Sequence, residues 1–251
     1  MTAPEAPDPL DPFEAHFHRE PLPGAGVALI LLADATADPE ATAGVLAPCI
    51  EWLHREGRPV QTQVVPVDRA SPRLNALIEG ALESVDPPIV LICSAVEPVA
   101  PEHLERLLKS IDKADHVLGR RPAEMSVEFV RRLAGLFRRL VFAVPILDVD
   151  SPCQLHRTEK LRAIPLQSGS SFVNVEILAK ATFLGHLLDE VEVPALAGNV
   201  WNRGRLTDLR AVLKAPTFRS VEDSGSAPLE EAQGQPERAD RPDAEDDDGL
   251  D

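Results

Sequence analysis

Apolar and polar positions follow two kinds of pattern along the chain. Some segments are continuous aliphatic runs, as expected for strands buried on both faces of a sheet, and others have apolar residues at helical spacing. The residues between the runs are polar or rich in glycine and proline, which is typical of turns. The aliphatic pattern predicts strands at residues 27–32, 60–67, 88–93, 116–118 and 187–193.

The helical pattern fills the intervals between these strands. The first helix is expected to begin at Pro39 and to end before Gly57, because proline suits the first turn of a helix and glycine the position after its end. A turn is expected at 161–166. The spacing predicts helices over residues 39–56, 73–84, 101–111, 126–142 and 173–184.

Strands that alternate with helices of this length indicate βαβ units. The predicted fold class is therefore α/β, with a mostly parallel sheet flanked by helices. Ligands of such sheets bind beyond the carboxyl ends of the strands. We therefore expect the loops after residues 32, 67, 93 and 118 to surround one cleft.

Charge and composition divide the chain into three parts. The net charge of −16 argues against binding to nucleic acid. Residues 219–251 are strongly acidic and poor in large apolar groups, so we expect a disordered tail that serves solubility or binds a protein partner. Residues 1–24 are expected to form a disordered proline-rich arm, and residues 25–218 one folded domain.

The apolar runs also bear on location. They are much shorter than the roughly 20 residues of a membrane-spanning helix, and the N-terminus lacks the features of a signal peptide. We therefore expect a cytoplasmic protein. The cysteines, Cys49, Cys93 and Cys153, lack metal-ligand spacing and lie among apolar residues, so we expect buried, reduced thiols.

Five stretches share an order and spacing that go beyond the alternation of strands and helices. In the longest, DVDSPCQLHR is an aspartate-led loop that ends in a basic strand, and a glycine, Glu-Ile-Leu, alanine, glycine and Glu-Val follow at set intervals. The stretches are residues 27–36, 76–83 (ALIEGALE), 101–102 (PE), 115–121 (DHVLGRR) and 147–194. Together they resemble the catalytic domain of family 2 glycosyltransferases, and most of all the dolichol-phosphate mannosyltransferase-like branch.

The resemblance implies the GT-A fold of nucleotide-diphospho-sugar transferases. It also implies a UDP- or GDP-linked sugar donor, a divalent metal (Mg²⁺ or Mn²⁺), and an acceptor such as a polyprenyl phosphate. It assigns Asp34, Asp68, Arg120 and Arg121 to the donor, Asp148 and Asp150 to catalysis, and Arg203 and Arg205 to an acceptor or phosphate.

The metal-binding motif of that family is degenerate here. The third strand should end in Asp-x-Asp, but it ends in Cys93 and Ser94, and the nearest carboxylate that follows is Glu97. A single carboxylate would hold Mg²⁺ or Mn²⁺ weakly, and a thiol is a poor ligand for a hard cation. The first two nucleotide-binding turns also depart from the family pattern, with only Asp34 and Asp68 as candidates. The expected cofactor is therefore a divalent metal or none.

Two functions remain open at this point. The chain is either an active glycosyltransferase, with the basic helix 126–142 touching a membrane surface, or an inactive pseudoenzyme that binds a partner or nucleotide. Structural alternatives also stand beside the site roles: turns or caps for the aspartates, salt bridges for the arginines at 120–121, and a surface loop at 201–205. Glu176, in an apolar segment, is expected to pair with an arginine such as Arg157. A third hypothesis, a nucleotidyltransferase-type α/β protein, is not supported, because the sequence has no glycine-rich phosphate loop.

Overall fold

A computed structural model gives the fold of this chain. It describes residues 19–68, 70, 73–95, 99–121, 143–149, 151–193 and 206–218. All of them lie in one compact unit, residues 1–218.

Within the described residues, six strands form one sheet in the order β2-β1-β3-β5-β4-β6. Strand β1 is parallel to β2 and β3, and β4 is parallel to β6. Strand β5 is antiparallel to both of its neighbours, β3 and β4. The sheet is thus mostly parallel, as predicted. The strands are β1 (Val27–Asp34), β2 (Val60–Val67), β3 (Ile89–Ser94), β4 (His116–Arg120), β5 (Cys153–Arg157) and β6 (Leu188–Glu192).

Helices cover both faces of the sheet, and the alternation of side chains along the strands divides the core accordingly. On β1, Leu29 and Leu31 face one cluster that includes α2 and α4, whereas Ile30 and Leu32 face another that includes α3, α5 and α6. This two-sided burial explains the continuous aliphatic run of β1. The described helices are α1 (Pro39–Gly44), α2 (Ala47–Arg55), α3 (Leu74–Glu83), α4 (Pro101–Ile111), α5 (Thr158–Arg162), α6 (Val173–Phe183) and α7 (Leu206–Lys214).

The predicted helix 39–56 is two helices, α1 and α2, separated at residues 45–46. Pro48 explains the break, because proline has no N–H to donate to the carbonyl of residue 44 and its ring would clash with that carbonyl. The expected end at Gly57 is confirmed: its φ is +68°, a conformation that favours glycine.

Other differences involve short elements. The predicted turn at 161–166 was wrong in its first residues, because Leu161 and Arg162 belong to α5. A five-residue helix is too short to show a helical period, so the pattern could not reveal it. Helix α7 was not predicted, and β5 followed only from the resemblance. The predicted helix 126–142 lies outside the described residues.

Candidate functional site

Strand direction brings the predicted site residues to one edge of the sheet. Because β5 is antiparallel to β3 and β4, these two strands run in the same direction, as do β1, β2 and β6. Five strands therefore end at one edge, which we call the carboxyl edge. It carries the strand ends Asp34, Val67, Ser94, Arg120 and Glu192.

Asp34 and Asp68 end neighbouring strands at this edge. Asp34 is opposite Val67 in the β1–β2 register, so Asp68 is one residue beyond that pair. Each carboxylate accepts a hydrogen bond from a backbone N–H two residues ahead: Asp34 from Thr36 at 2.9 Å, and Asp68 from Ala70 at 2.8 Å. The register thus places both residues at the ends of neighbouring strands, and each carboxylate also shapes its own turn.

Arg121 and Asp148 form a bidentate ion pair at the same edge. The Arg121 Nε donates to Asp148 Oδ2 at 2.8 Å, and Nη2 donates to Oδ1 at 2.6 Å. The backbone N–H of Arg121 also donates to Oδ2, at 3.1 Å. The side chains are only 12% and 15% exposed, respectively. A residue assigned to donor phosphate and one assigned to catalysis thus hold each other.

The loop that carries Asp148 is fixed to β4 and β6. Glu190 Oε1 on β6 accepts the backbone N–H groups of Leu147 and Asp148, both at 2.8 Å. The buried Ser151 hydroxyl donates to the carbonyl of Gly119 on β4 at 2.6 Å. These bonds hold the Asp148 carboxylate beside the end of β4.

Arg120 has a different environment. Its Nη2 donates to Glu192 Oε2 at 2.9 Å, but the two side chains are 37% and 56% exposed. Exposed pairs of this kind contribute about 0–1 kcal/mol. In the ligand-free protein Arg120 therefore forms the salt bridge that was the structural alternative to a donor role, and its guanidinium remains accessible to solvent.

The end of β3 does not fit a divalent metal. Cys93 is fully buried, which raises the pKa of its thiol to about 12, and the next residues are Ser94 and Ala95. Across the described part of the chain, no group of three or more His, Cys, Asp or Glu residues is arranged to hold a metal ion. The candidates Glu97, Asp150, Arg203 and Arg205 lie outside the described residues.

The expected pairing of Glu176 with Arg157 was wrong. Glu176 is fully buried and pairs with Lys180 one helical turn ahead, with Nζ 2.6 Å from Oε1. Its carboxylate also accepts the backbone N–H groups of Gln167 and Ser168, both at 2.8 Å. Arg157 instead donates to backbone carbonyls, including those of residues 111 and 114.

A row of three histidines at the opposite, amino-terminal edge was missed from the sequence. His116 Nδ1 is 2.8 Å from His156 Nδ1, and His116 Nε2 is 2.9 Å from His186 Nδ1. Each neutral imidazole has one N–H, so both bonds form only when His116 donates to one neighbour and accepts from the other. Register explains the pairing, because His116 is directly opposite His156 in the β4–β5 ladder. That register could not be predicted without β5.

Burial controls the titration of this row. It lowers the pKa of His156 to about 3 and that of His116 well below 6.5, and His156 Nε2 has no hydrogen-bond partner among the described residues. Burial also lowers the pKa of His186, against the opposing charge of Asp115. Burial alone would raise the pKa of Asp115, but hydrogen bonds from Arg19 and the Leu187 backbone lower it.

A cavity of about 470 Å³ lies beside this row. Its lining residues carry mixed charge, and two of its cations already have partners: Arg19 binds Asp115, and Arg157 binds backbone carbonyls. The cavity is therefore not a basic pocket for an anion. It lies at the edge away from the predicted site residues.

Two further expectations concern thiols and membranes. Cys49, Cys93 and Cys153 are free and buried, which confirms that expectation. No helix in the described ranges has both the length and the apolar character to cross a membrane.

Comparison with known proteins establishes the fold. No protein-family model and no curated protein matches the chain. Mannosyl-3-phosphoglycerate synthase from Rubrobacter xylanophilus is similar in structure, with a TM-score of 0.51 and 16% identity over 76% of this chain and 71% of that chain. Glucosyl-3-phosphoglycerate synthase from Mycobacterium tuberculosis has a TM-score of 0.50 and 14% identity over 77% of this chain and 78% of that chain.

A second structure of the mycobacterial synthase contains Mn²⁺, UDP and phosphoglyceric acid, and it gives a TM-score of 0.50 at 14% identity, covering 77% of this chain and 76% of that chain. At these identities the likeness concerns architecture alone. The chain therefore has a GT-A glycosyltransferase-like fold, in agreement with the fold predicted from the sequence.

Proposed function

We propose that this protein is a family 2 glycosyltransferase-like protein of the dolichol-phosphate mannosyltransferase-like branch. It would bind a nucleotide-sugar at the carboxyl edge and transfer the sugar to an acceptor such as a polyprenyl phosphate. One observation carries the proposal. Five polar residues that the resemblance assigns to donor and acceptor converge on one edge of a GT-A-like sheet: Asp34, Asp68, Arg120, Arg121 and Asp148.

On the donor side, Asp34 and Asp68 would meet the nucleoside, and Arg120 or Arg121 the diphosphate. Guanidinium groups suit this role because they bind phosphate oxygens through two parallel hydrogen bonds. A bound Mg²⁺ or Mn²⁺ would neutralise the leaving diphosphate. The described residues at the end of β3 do not form such a site, so arginine is the cation that the proposal assigns to the diphosphate.

On the acceptor side, Asp148 or Asp150 would orient the acceptor or accept its proton. Arg203 and Arg205 would hold an acceptor phosphate. The two similar structures are named glucosyl-3-phosphoglycerate synthase and mannosyl-3-phosphoglycerate synthase, and the mycobacterial complex contains phosphoglyceric acid, an acid that carries a phosphate. The basic segment 126–142 would place the protein at the cytoplasmic surface of a membrane if the acceptor is a polyprenyl phosphate.

A specific observation favours a second function, an inactive glycosyltransferase-fold protein that binds a nucleotide or scaffolds a partner. Residues 93–95 provide no carboxylate at the end of β3, and Asp148 is already held by Arg121. A carboxylate in a bidentate bond to arginine is poorly placed to accept a proton from an acceptor. The acidic residues 219–251 would then bind the protein partner.

Calorimetric titration distinguishes the two functions. UDP-glucose and GDP-mannose are titrated with Mn²⁺ or with EDTA, and release of nucleotide is then followed with a short polyprenyl phosphate or 3-phosphoglycerate as acceptor. Binding together with acceptor-dependent release supports the enzyme. Binding without turnover of either acceptor supports the inactive module. Absence of binding under both metal conditions contradicts nucleotide-sugar recognition in either form.

A further inference from the structure

Two consecutive arginines lie at the carboxyl end of β4, Arg120 as its last residue and Arg121 directly after it, and each pairs with a carboxylate of the same protein. Arg120 holds Glu192 by one hydrogen bond in solvent, whereas Arg121 holds Asp148 by two side-chain hydrogen bonds in a mostly buried position. Partial burial strengthens an ion pair because water screens it less. Arg121 is thus the more strongly held of the two.

A nucleoside diphosphate that approaches this edge needs a cation, and the described end of β3 supplies no metal ligands. The diphosphate would compete directly with Asp148 for the same guanidinium, since arginine binds both carboxylate and phosphate oxygens through two parallel N–H donors. The protein would therefore exist in two states. In one state Arg121 is held by Asp148, and in the other it binds the ligand.

We propose that the Arg121–Asp148 pair is a latch that a nucleoside diphosphate opens. This inference rests on the proposed function, because it assumes that the carboxyl edge binds a nucleotide. When the diphosphate takes the guanidinium, the Asp148 carboxylate is released beside the acceptor position. Donor binding thus prepares the carboxylate that the acceptor requires, and the ligand-free protein keeps it occupied.

The loop geometry supports a released Asp148 that stays in place. Its backbone N–H is bound to Glu190 and its carbonyl accepts the N–H of Ser151, so the loop is anchored independently of the carboxylate. Loss of the guanidinium contacts would leave the carboxylate with the hydrogen bond from the Arg121 backbone N–H, at 3.1 Å, while these backbone bonds hold the loop. In the state in which Arg121 is held by Asp148, Asp148 is therefore a positioning residue.

The latch predicts an unusual mutational result. The apparent affinity for the ligand is proportional to the fraction of protein in which the binding group is available. Weakening the bond from Asp148 to Arg121 should therefore strengthen ligand binding. Asp148→Asn removes the negative charge but keeps the size of the side chain. We expect it to bind UDP or GDP in EDTA about tenfold more tightly than the unchanged protein, which corresponds to about 1.4 kcal/mol.

The experiment compares four proteins by calorimetry with UDP and GDP in EDTA: the unchanged chain and the variants Asp148→Asn, Arg121→Lys and Glu192→Gln. Arg121→Lys keeps the charge but loses the two-pronged geometry, so its affinity should fall about tenfold. Glu192→Gln is the matched control, since it neutralises the exposed partner of Arg120 and should change affinity less than about twofold. Thermal unfolding verifies that each variant is folded.

The outcomes separate the latch from the proposed function. Tighter binding by Asp148→Asn alone supports the latch. Measurable binding that Asp148→Asn leaves unchanged or weakens overturns the latch and leaves the proposed function standing. Tighter binding by Glu192→Gln instead assigns the diphosphate to Arg120, and this result also overturns the latch. If none of the four proteins binds in EDTA, the latch is overturned, whereas nucleotide recognition fails only if binding is also absent with Mn²⁺.

A measurement of ligand binding to the unchanged protein provides a second readout. The ¹H–¹⁵N resonance of the Arg121 Nε group, identified by its loss in Arg121→Lys, reports the hydrogen-bond partner of the guanidinium. Saturating UDP in EDTA should shift this resonance if the partner changes. A resonance that stays in place while UDP binds would contradict the exchange of partners.

Discussion

Acidification from pH 7 to pH 5 should destabilise this protein strongly because of the histidine row His116–His156–His186. His116 and His156 are fully buried, and burial lowers the pKa of both, to about 3 for His156. In the unfolded chain both have ordinary values near 6.5 and gain protons as the pH falls. The unfolded state therefore binds more protons in this window, so stability decreases as the pH falls through 6.5.

The magnitude follows from the two buried rings. A histidine that stays neutral in the folded state and titrates at about 6.5 when unfolded destabilises folding by about 2 kcal/mol between pH 7 and 5. The pair should therefore contribute about 4 kcal/mol, a large part of the 5–15 kcal/mol that is typical of a domain. His186 is half-buried and near Asp115, so it should add less. Unfolded carboxyl groups titrate mainly below this window.

Urea unfolding followed by circular dichroism at pH 7, 6 and 5 measures this effect. His156→Leu removes one of the two buried rings and should reduce the loss to about 2 kcal/mol. His54→Gln is the control, because this side chain is exposed to water on α2 and its replacement should leave the pH dependence unchanged. A loss below about 1 kcal/mol in the unchanged protein would refute the reasoning.

Two other predictions concern stability. Lys180→Met leaves the carboxylate of Glu176 buried without its ion partner and should lower the free energy of unfolding by about 3–5 kcal/mol. Lys109→Met breaks an exposed pair of the same spacing and should lower it by less than about 1 kcal/mol. Equal decreases for the two variants in urea unfolding would contradict the role of burial. Gly57→Ala should lower the free energy of unfolding by about 1–2 kcal/mol because φ is +68°, although a methyl group there would meet open space. Gly44→Ala also places its methyl group in open space and should not destabilise the protein. The same shift in melting temperature for both variants would argue against backbone strain.

The sequence predicted those elements whose signal is local. Strand β2 and helix α4 have the predicted bounds, because a valine-rich segment and an amphipathic repeat that starts with proline each mark their own ends. The Glu176–Lys180 pair also had a local signal, the four-residue spacing of opposite charges on a helix, and it was missed. The break between α1 and α2 also had a local signal in the sequence, which is Pro48.

Features that depend on strand pairing could not be predicted in the same way. His116 and His156 are forty residues apart, and only the antiparallel register of β5 against β4 makes them neighbours. Arg121 and Asp148 were both identified as candidates, but their separation of 27 residues gave no sign that each would hold the other. The carboxyl edge followed from the alternation of strands and helices, whereas the pairing of side chains on it depends on the three-dimensional fold.

Hydrogen–deuterium exchange with and without saturating UDP or GDP, each with Mn²⁺ or EDTA, tests the central claim most directly. The protein has two distinct edges: the carboxyl edge with Asp34, Asp68 and Arg121, and the amino-terminal edge with His186 and its cavity. We expect protection of the segments that follow β1, β2 and β4, and unchanged exchange around residues 184–187. Protection at the cavity alone, or at neither edge with any nucleotide, would contradict a nucleotide site at the carboxyl ends of the strands.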